Sequence, residues 1–165
     1  MSISTSDLCD RYADAIDIGQ LSVLRGNWQW FGTSRYLKGQ AVTLEARGCN
    51  LELRQLLKQS GNGQVLVIDS GDHMGALLGD NLATLALSNG WSGVLINGNV
   101  RDTKALAIID LPVIATGTWP IRSQNLAGGK PGATLMLGGS CISQGDWIYA
   151  DEDGVLLSKR ELNVD

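Results

Sequence analysis

Short runs of apolar residues alternate with helical patterns through the first two thirds of the chain. The runs at Val65–Ile68, Val94–Ile96 and Pro112–Ala115 have the length and continuity of strands covered on both faces. A helical pattern over residues 50–60 precedes the first run, and another over residues 80–89 separates the first two. This order of strands and helices predicts a layered α/β fold.

The pattern changes after Ala127, where short apolar runs are separated by glycine-containing turns. These runs predict β-hairpins, and they are Leu135–Leu137, Cys141–Ile142, Trp147–Tyr149 and Val155–Leu157. No linker or repeat interrupts the chain, so residues 1–165 are expected to form one α/β domain with mixed sheets and flanking helices.

The N-terminal part holds a short helix, a strand and an aromatic segment. Leu8, Tyr12 and Ile16 follow a capping cluster at helical spacing, and Ala41–Leu44 is typical of a strand. The aromatic residues of Gly26–Gly32 are expected to lie in a loop. This loop is either a hydrophobic plug against the core or a neighbouring subunit, or a lid over a substrate, and packing is the commoner use of such clusters.

One stretch, Gly79 to Asp102, combines several features of a binding site. Asp80 or Asn81 can cap the helix that begins there, and the strand that follows is expected to end at Gly98. The free backbone N–H groups at the helix start, Gly79 to Leu82, favour a carboxylate or phosphate. The pair Arg101 and Asp102 comes directly after the strand.

Arg101 and Asp102 each allow two interpretations. Arg101 either forms a surface salt bridge or holds a carboxylate with its planar fork of donors. Asp102 either caps a helix over Thr103–Ile109 or supplies a hard oxygen ligand to a divalent cation. Asp80 likewise acts as a helix cap, or as a carboxylate that orients a water on that cation. His73, the chain's one histidine, lacks a phosphate-loop motif beside it.

Composition and charge exclude several function classes. The net charge is -4 and the pI is about 4.9, which argues against a broad nucleic-acid surface. Three widely spaced cysteines form neither a disulfide framework nor a zinc pattern. No segment resembles a signal peptide or a membrane span, so a cytoplasmic location is expected.

Four separated motifs, in order, resemble those of the RraA-like family. GDNLA at residues 79–83, followed by a helix, a strand and GNVRD at residues 98–102, is similar to the family signature. The family includes class II 4-hydroxy-4-methyl-2-oxoglutarate aldolases and regulators of ribonuclease E activity. The similarity extends to VLVIDSGD at Val65–Asp72, PVIATG at Pro112–Gly117 and GDWIYADEDGVLLS at Gly145–Ser158.

The resemblance implies a swivelling β/β/α fold, assembled as a homotrimer with the active site between subunits. It also implies a metal-dependent lyase that cleaves 4-hydroxy-4-methyl-2-oxoglutarate, or a related 2-oxo acid, to pyruvate and decarboxylates oxaloacetate through the same enolate. Asp102 would bind Mg²⁺ or Mn²⁺, Arg101 and Asp80 would be catalytic, and the substrate would contact Gly79, Asp80, Asn81, Leu82 and Arg101.

The resemblance leaves a second function open, because some family members inhibit ribonuclease E by protein contact. Regulators can lack the Asp that follows the Arg, and this chain keeps it at Asp102, which favours the enzyme. A methyltransferase, another label used in the family, is not expected, since no glycine-rich nucleotide loop follows the first strand. A phosphocarrier role for His73 is not expected either.

Overall fold

A mixed sheet forms the centre of the protein in the computed structural model, which describes residues 3–165. In chain order the elements are α1 (Thr5–Arg11), α2 (Ala13–Asp17), β1 (Leu21–Val23), β2 (Gln29–Phe31), β3 (Leu37–Glu45), α3 (Leu51–Leu57), β4 (Val65–Asp69), α4 (Asp80–Ser88), β5 (Gly93–Val100), α5 (Thr103–Leu106), β6 (Val113–Thr118), β7 (Lys130–Pro131), β8 (Leu135–Leu137), β9 (Ser140–Ile142), β10 (Trp147–Ala150) and β11 (Val155–Ser158).

The strand order in the large sheet is β1-β11-β10-β3-β4-β5-β6-β2, with β7 added beside β3. Strands β3 to β6 are parallel, whereas the flanking pairs are antiparallel. The long strand β3 joins the two regions, because residues 37–40 pair with β10 and residues 41–45 pair with β4. The expected mixed α/β architecture is therefore confirmed.

The apolar runs are continuous because both faces of the parallel strands are covered. Leu66 and Ile68 of β4 face a core shared with helices α3, α4 and α5. Val65 and Val67 of the same strand face a second core, which includes residues of the β8–β9 hairpin. No helix within residues 3–165 is long and apolar enough to cross a membrane.

Two element ends near this region differ from the sequence-based expectation. β5 does not end at Gly98 but continues to Val100, with an irregular register between Ile96 and Asn99. Gly98 has φ of 157°, and a Cβ there would lie 2.7 Å from the Cβ of Ser70, so the glycine permits a bulge rather than a stop. Helix α5 ends at Leu106 rather than at Ile109.

The aromatic segment is not a loop, because Gln29–Phe31 forms the edge strand β2 beside β6. Trp28 and Trp30 pack against the second core. Their indole N–H groups donate to the carbonyls of Leu24 (2.9 Å) and Asp151 (3.1 Å). The plug interpretation of these residues is confirmed, since satisfied and packed indoles are fixed in place.

A buried tyrosine fastens the C-terminal segment to β10. The hydroxyl of Tyr149 accepts a hydrogen bond from the backbone N–H of Leu162 at 2.7 Å. Burial raises the pKa of Tyr149 from 10.0 to about 12. Between these two values the unfolded chain releases a proton that the folded protein keeps, so stability falls as the pH rises through this window.

We therefore predict that Tyr149→Phe changes both the stability and its dependence on pH. The free energy of unfolding should drop by about 1–2 kcal/mol at pH 8, the range expected for a lost buried hydrogen bond. It should also decline less steeply than that of the wild type above pH 10. Urea denaturation between pH 8 and pH 11.5 measures both, with Tyr12→Phe as a partly exposed control. Equal slopes for wild type and Tyr149→Phe would contradict the assignment.

Candidate functional site

The start of α4 is held against the end of β5 by backbone contacts. Leu78 forms a parallel bridge with Val100, and the N–H of Arg101 donates to the Leu78 carbonyl at 3.0 Å. One step earlier, the N–H of Leu77 donates to the carbonyl of Asn99 at 2.9 Å. Residues about twenty positions apart in the chain therefore become neighbours at this point.

A small cleft of about 60 Å³ lies at this junction. The six residues singled out from the sequence all line it, namely Gly79, Asp80, Asn81, Leu82, Arg101 and Asp102. The remaining lining comes from Asn50, Arg54, Ala76, Leu77 and Arg122. Three arginines thus face two aspartates, which suits the binding of an anion beside a cation.

The carboxylate of Asp102 lies directly against Gly79. A Cβ added at Gly79 would overlap the Oδ2 atom of Asp102. The backbone of Gly79 is extended, with φ of −132°, so a side chain here would require the Asp102 carboxylate to move but would not strain the backbone. Glycine at this position therefore makes room for the Asp102 carboxylate at the helix start.

Asp102 does not cap the helix that follows it. It occupies the N-cap position of α5 in the left-handed region (φ 58°, ψ 41°), and its side chain makes no capping hydrogen bond. Its nearest charged partner is Arg101, whose Nε lies 3.8 Å from Oδ2, and 41% of the Asp102 side chain is exposed. The capping interpretation is wrong, and the carboxylate remains available to a ligand.

The sequence pattern indicated Asp80 or Asn81 as the N-cap of α4. In the structure the N-cap is Gly79. The first helical bond runs from the N–H of Ala83 to the Gly79 carbonyl at 3.0 Å. Asp80 Oδ1 accepts the N–H of Asn81 at 2.8 Å. Within residues 3–165 no partner accepts the N–H groups of Asp80 and Leu82, so the helix start retains free donors.

Sequence reasoning missed three residues of the cleft, Asn50, Arg54 and Arg122. Asn50 holds the N-cap position of α3, but its side chain makes no capping bond. Arg54 and Arg122 belong to no motif. Asn50 and Arg54 are one helical turn apart and therefore share a face of the helix. This spacing could have identified the two residues as neighbours from the sequence alone.

A larger cleft of about 370 Å³ lies next to the first, and Arg122 lines both. His73 lines this second cleft and not the first, together with Arg47, Cys49 and Trp119. Asp72 is exposed and lines neither. Asp72 and His73 therefore do not line the smaller cleft, whereas Ala76 and Leu77 of the same segment do.

The donor set of the cleft fits Mg²⁺ or Mn²⁺. No group of three His, Cys, Asp or Glu residues suited to a metal exists in the described part of the chain. Zn²⁺ needs three or four protein ligands, whereas Mg²⁺ keeps several waters and binds through one or two carboxylates. Asp102, with Asp80 nearby in the same cleft, matches the second pattern.

Comparison with known proteins places the chain in a family. Residues 5–157 match the family model described as "RraA-like: Aldolase/RraA". The chain belongs to the RraA-like family. A family member from Paraburkholderia phytofirmans, named "Putative 4-hydroxy-4-methyl-2-oxoglutarate aldolase", is 41% identical over 164 residues, which are 99% of this chain and 100% of the relative.

Two solved structures of similar proteins each superimpose with a TM-score of 0.90. One, from Geobacillus kaustophilus, is named an S-adenosylmethionine: 2-dimethylmenaquinone methyltransferase; it is 34% identical, over 97% of both chains. The other, named the RNA-processing inhibitor RraA from Thermus thermophilis, is 33% identical, over 99% of this chain and 96% of that one. One RraA-like fold thus carries three functional names, so function must be argued from the site.

The geometry predicts that the Asp102 carboxylate contributes little to stability. Asp102→Asn keeps the shape and tolerates the left-handed backbone, so the free energy of unfolding should change by no more than about 0.5 kcal/mol. Asp146→Asn is the matched control, because the Asp146 carboxylate is buried and accepts from Lys159 (2.6 Å) and from the N–H of Ser143 (2.8 Å). Its loss should cost about 1–3 kcal/mol. Urea denaturation measures the free energy of unfolding of both variants. A loss for Asp102→Asn comparable to that for Asp146→Asn would mean that the Asp102 carboxylate stabilises the fold.

Proposed function

We propose that this RraA-like protein is a divalent-metal-dependent lyase that releases pyruvate from 4-hydroxy-4-methyl-2-oxoglutarate or a related 2-oxo acid. The observation that carries the proposal is the contact between the Asp102 carboxylate and Gly79 at the start of α4, with Arg101 beside them. A cation ligand, a guanidinium and free backbone donors then converge on one cleft. The aldolase named among the relatives supports the same reaction.

Each residue of the cleft has a separate proposed role at the pyruvate end of the substrate. Asp102 would hold the cation, Mg²⁺ or Mn²⁺, and Arg101 would bind the C1 carboxylate through its fork of donors. The free N–H groups at the start of α4, within Gly79–Leu82, donate to the same end. When bound, the cation acts as a Lewis acid that stabilises the enolate charge on the pyruvate half.

Asp80 is proposed to move the proton of the reaction. Oδ1 of Asp80 accepts the N–H of Asn81, and Asp80 is one of the residues that line the cleft. We assign to Asp80 the proton of the C4 hydroxyl, taken directly or through one water. As that proton leaves, the C4 oxygen forms a carbonyl, the C3–C4 bond breaks, and its electron pair passes to the pyruvate enolate. Return of that proton to C3 then gives one pyruvate, and the C4 half leaves as a second pyruvate.

Oxaloacetate decarboxylation needs no base at Asp80. The bond to the departing carboxyl group breaks, CO₂ leaves, and the electron pair enters the same enolate. Arg101 and the α4 donors would stabilise that enolate in both reactions. A protein with this cleft is therefore proposed to decarboxylate oxaloacetate as a second activity.

The working form is proposed to be a homotrimer, with the cleft closed by a neighbouring subunit. The cleft of one chain, about 60 Å³, is far below the roughly 300 Å³ at which pockets enclose a small molecule. Arg101 and Asp102 also remain 38% and 41% exposed. A neighbour that covers them would exclude water and strengthen the electrostatic contacts.

A second candidate function is regulation of ribonuclease E by protein contact. The observation that favours it is the TM-score of 0.90 with a structure named an RNA-processing inhibitor. The two functions differ in their dependence on the cleft, because a protein-binding surface does not require a divalent cation at Asp102. Ribonuclease E binding that Asp102→Asn leaves intact would support the second function.

The lyase proposal is tested by pyruvate release from 4-hydroxy-4-methyl-2-oxoglutarate and from oxaloacetate, with Mg²⁺ and with excess chelator. We expect release that requires the metal and that falls by at least about a hundredfold in Asp102→Asn, in line with the loss of one charge-stabilising group. Asp146→Asn, which changes the same group outside the cleft, controls for the substitution itself. A folded, metal-loaded wild type that releases no pyruvate from either substrate would refute the proposal.

Gly79→Ala tests the contact between the helix start and the carboxylate. The added Cβ overlaps the position of Asp102 Oδ2, so the carboxylate must move and Mg²⁺ affinity should fall by about tenfold or more. Gly154→Ala is the control, because no atom lies within 4 Å of a Cβ at Gly154. Isothermal titration with Mg²⁺ gives the affinities. Unchanged Mg²⁺ binding in Gly79→Ala would show that this carboxylate does not hold the cation.

A further inference from the structure

Within residues 3–165, the amide oxygen of Asn50 is a buried acceptor without a hydrogen-bond partner. The residue is only 5% exposed, and it lines the smaller cleft together with Asp80. Asn50 occupies the N-cap position of α3, but its side chain makes no capping bond. Because buried polar groups in proteins are almost always hydrogen-bonded, this oxygen is an acceptor that a ligand or its water can complete.

An exposed segment, residues 124–128, holds the start of α3 on its way from β6 to β7. The N–H of Asn50 donates to the Gln124 carbonyl at 3.1 Å, and the N–H of Leu51 donates to the Leu126 carbonyl at 3.4 Å. Since N–H···O bonds in proteins usually measure about 2.7–3.2 Å, the second of these contacts is weak. Backbone hydrogen bonds alone therefore hold this junction loosely at one end.

The carboxylate of Glu52 strengthens that end. Its Oε1 accepts the N–H of Gly128 at 3.0 Å, two residues beyond the weak contact, and within residues 3–165 no other side-chain hydrogen bond joins α3 to this segment. The bond from Gly128 lowers the pKa of Glu52 below its ordinary value, because it favours the charged carboxylate. Glu52 lines neither cleft, so its effect on the smaller cleft passes through the start of α3.

The chemistry of the proposed substrate shows what Asn50 would accept. The ionised carboxylates and the keto group of 4-hydroxy-4-methyl-2-oxoglutarate are acceptors, so the C4 hydroxyl is its one donor. The proposed reaction passes the proton of that hydroxyl to Asp80 directly or through one water. A water in that place gives one proton to Asp80, and its second proton needs another acceptor. Oδ1 of Asn50 is such an acceptor in the same cleft.

We propose that Asn50 and Glu52 are positioning residues for the proton transfer of the retro-aldol reaction. Oδ1 of Asn50 accepts a hydrogen bond from the water between the C4 hydroxyl and Asp80, and Glu52 keeps Asn50 in place by holding Gly128. The water passes one proton to Asp80 and receives the hydroxyl proton, while its other proton stays hydrogen-bonded to Asn50. The proposal rests on the proposed lyase function and takes the route through one water.

Two substrates separate this role from a merely structural one. Oxaloacetate in its keto form has no hydroxyl proton to move, whereas 4-hydroxy-4-methyl-2-oxoglutarate has one. We expect Asn50→Ala and Glu52→Ala each to lower kcat for 4-hydroxy-4-methyl-2-oxoglutarate by about tenfold, the size of one lost hydrogen bond, and to change kcat for oxaloacetate by less than about twofold. Equal losses with both substrates, or no loss with either, would overturn the proposal.

Asp151→Ala is the matched control for Glu52→Ala. The Asp151 carboxylate also accepts a backbone N–H from a distant segment, that of Thr5, and it lines neither cleft. The ratio of the two kcat values should therefore stay at its wild-type value in Asp151→Ala. A change of this ratio equal to that in Glu52→Ala would mean that the loss of any such contact has the same effect, and would overturn the proposal.

Two conservative variants show whether the hydrogen bond or the charge of Glu52 acts, and they serve equally if Glu52→Ala does not fold. Glu52→Gln removes the charge but keeps an oxygen that reaches Gly128, whereas Glu52→Asp keeps the charge on a side chain one methylene shorter. For 4-hydroxy-4-methyl-2-oxoglutarate, we expect kcat of Glu52→Gln to stay within about threefold of wild type and that of Glu52→Asp to resemble Glu52→Ala. The reverse order would show that negative charge at the start of α3 acts instead, and would refute the role of the Gly128 contact.

A double variant tests whether Glu52 acts through Asn50. Adding Glu52→Ala to Asn50→Ala should lower kcat for 4-hydroxy-4-methyl-2-oxoglutarate by less than about a further twofold, since the oxygen that Glu52 positions is already absent. A further loss of about tenfold would show that the two residues act independently, and would overturn their pairing.

Failure of this proposal and failure of the lyase function give different results. Wild type that releases pyruvate from both substrates, with Asn50→Ala and Glu52→Ala unchanged, would refute the positioning residues and leave the lyase intact. Wild type that releases no pyruvate from either substrate would refute the lyase and this proposal with it. Hydrogen exchange of the Gly128 amide reports on the contact without turnover. Loss of protection in Glu52→Ala but not in Asp151→Ala would support the contact, and equal protection in wild type and Glu52→Ala would refute it.

Discussion

The backbone bridge between Leu78 and Val100 is the contact on which the site depends. It fixes the start of α4 beside the end of β5, and the hydrogen bond from Arg101 to the Leu78 carbonyl continues it for one more residue. Because of this bridge, the Asp102 carboxylate can lie on Gly79 without any direct hydrogen bond to hold it there. A rigid backbone thus positions a carboxylate that is otherwise free for a ligand.

The irregular register of β5 contributes to the position of Asp102 beside Gly79. Between Ile96 and Asn99 the strand contains one more residue than its partner β6, and the N–H of Gly98 donates to the Thr116 hydroxyl at 2.9 Å instead of to a backbone carbonyl. A bulge bends the strand and changes the direction of the residues beyond it. Arg101 and Asp102 follow this bend, so the close approach of Gly98 to Ser70 bears on the orientation of both side chains.

Features that depend on residues close together in the sequence were predicted correctly, whereas features that depend on contacts between distant residues were not. The runs at Val65–Ile68 and Val94–Ile96 identified central strands, because burial on both faces leaves a continuous apolar signature. Gly98 was misjudged, since a glycine in a bulge and a glycine at a strand end look alike without the neighbouring strand. Arg122 was not predicted as a cleft residue, because its position depends on a bridge to Ala76, 46 positions earlier in the chain. No local sequence pattern predicts that pairing.

Polar groups that stabilise the fold are hydrogen-bonded in this structure, whereas several at the smaller cleft are not. Asp146 is buried, paired with Lys159 and bonded to the N–H of Ser143, as a carboxylate that serves the fold should be. Around the smaller cleft the opposite holds: Asn50 Oδ1 is buried without a partner, and Asp102 adopts a left-handed backbone without capping its helix. Each of these features costs stability, of the order of 1–3 kcal/mol for an unpaired buried group. Two other buried atoms of the described chain, Glu52 Oε2 and Ser123 Oγ, also lack a partner and belong to residues outside this cleft. The combination of an unpaired Asn50 oxygen with the open Asp102 carboxylate is what favours a ligand at the smaller cleft.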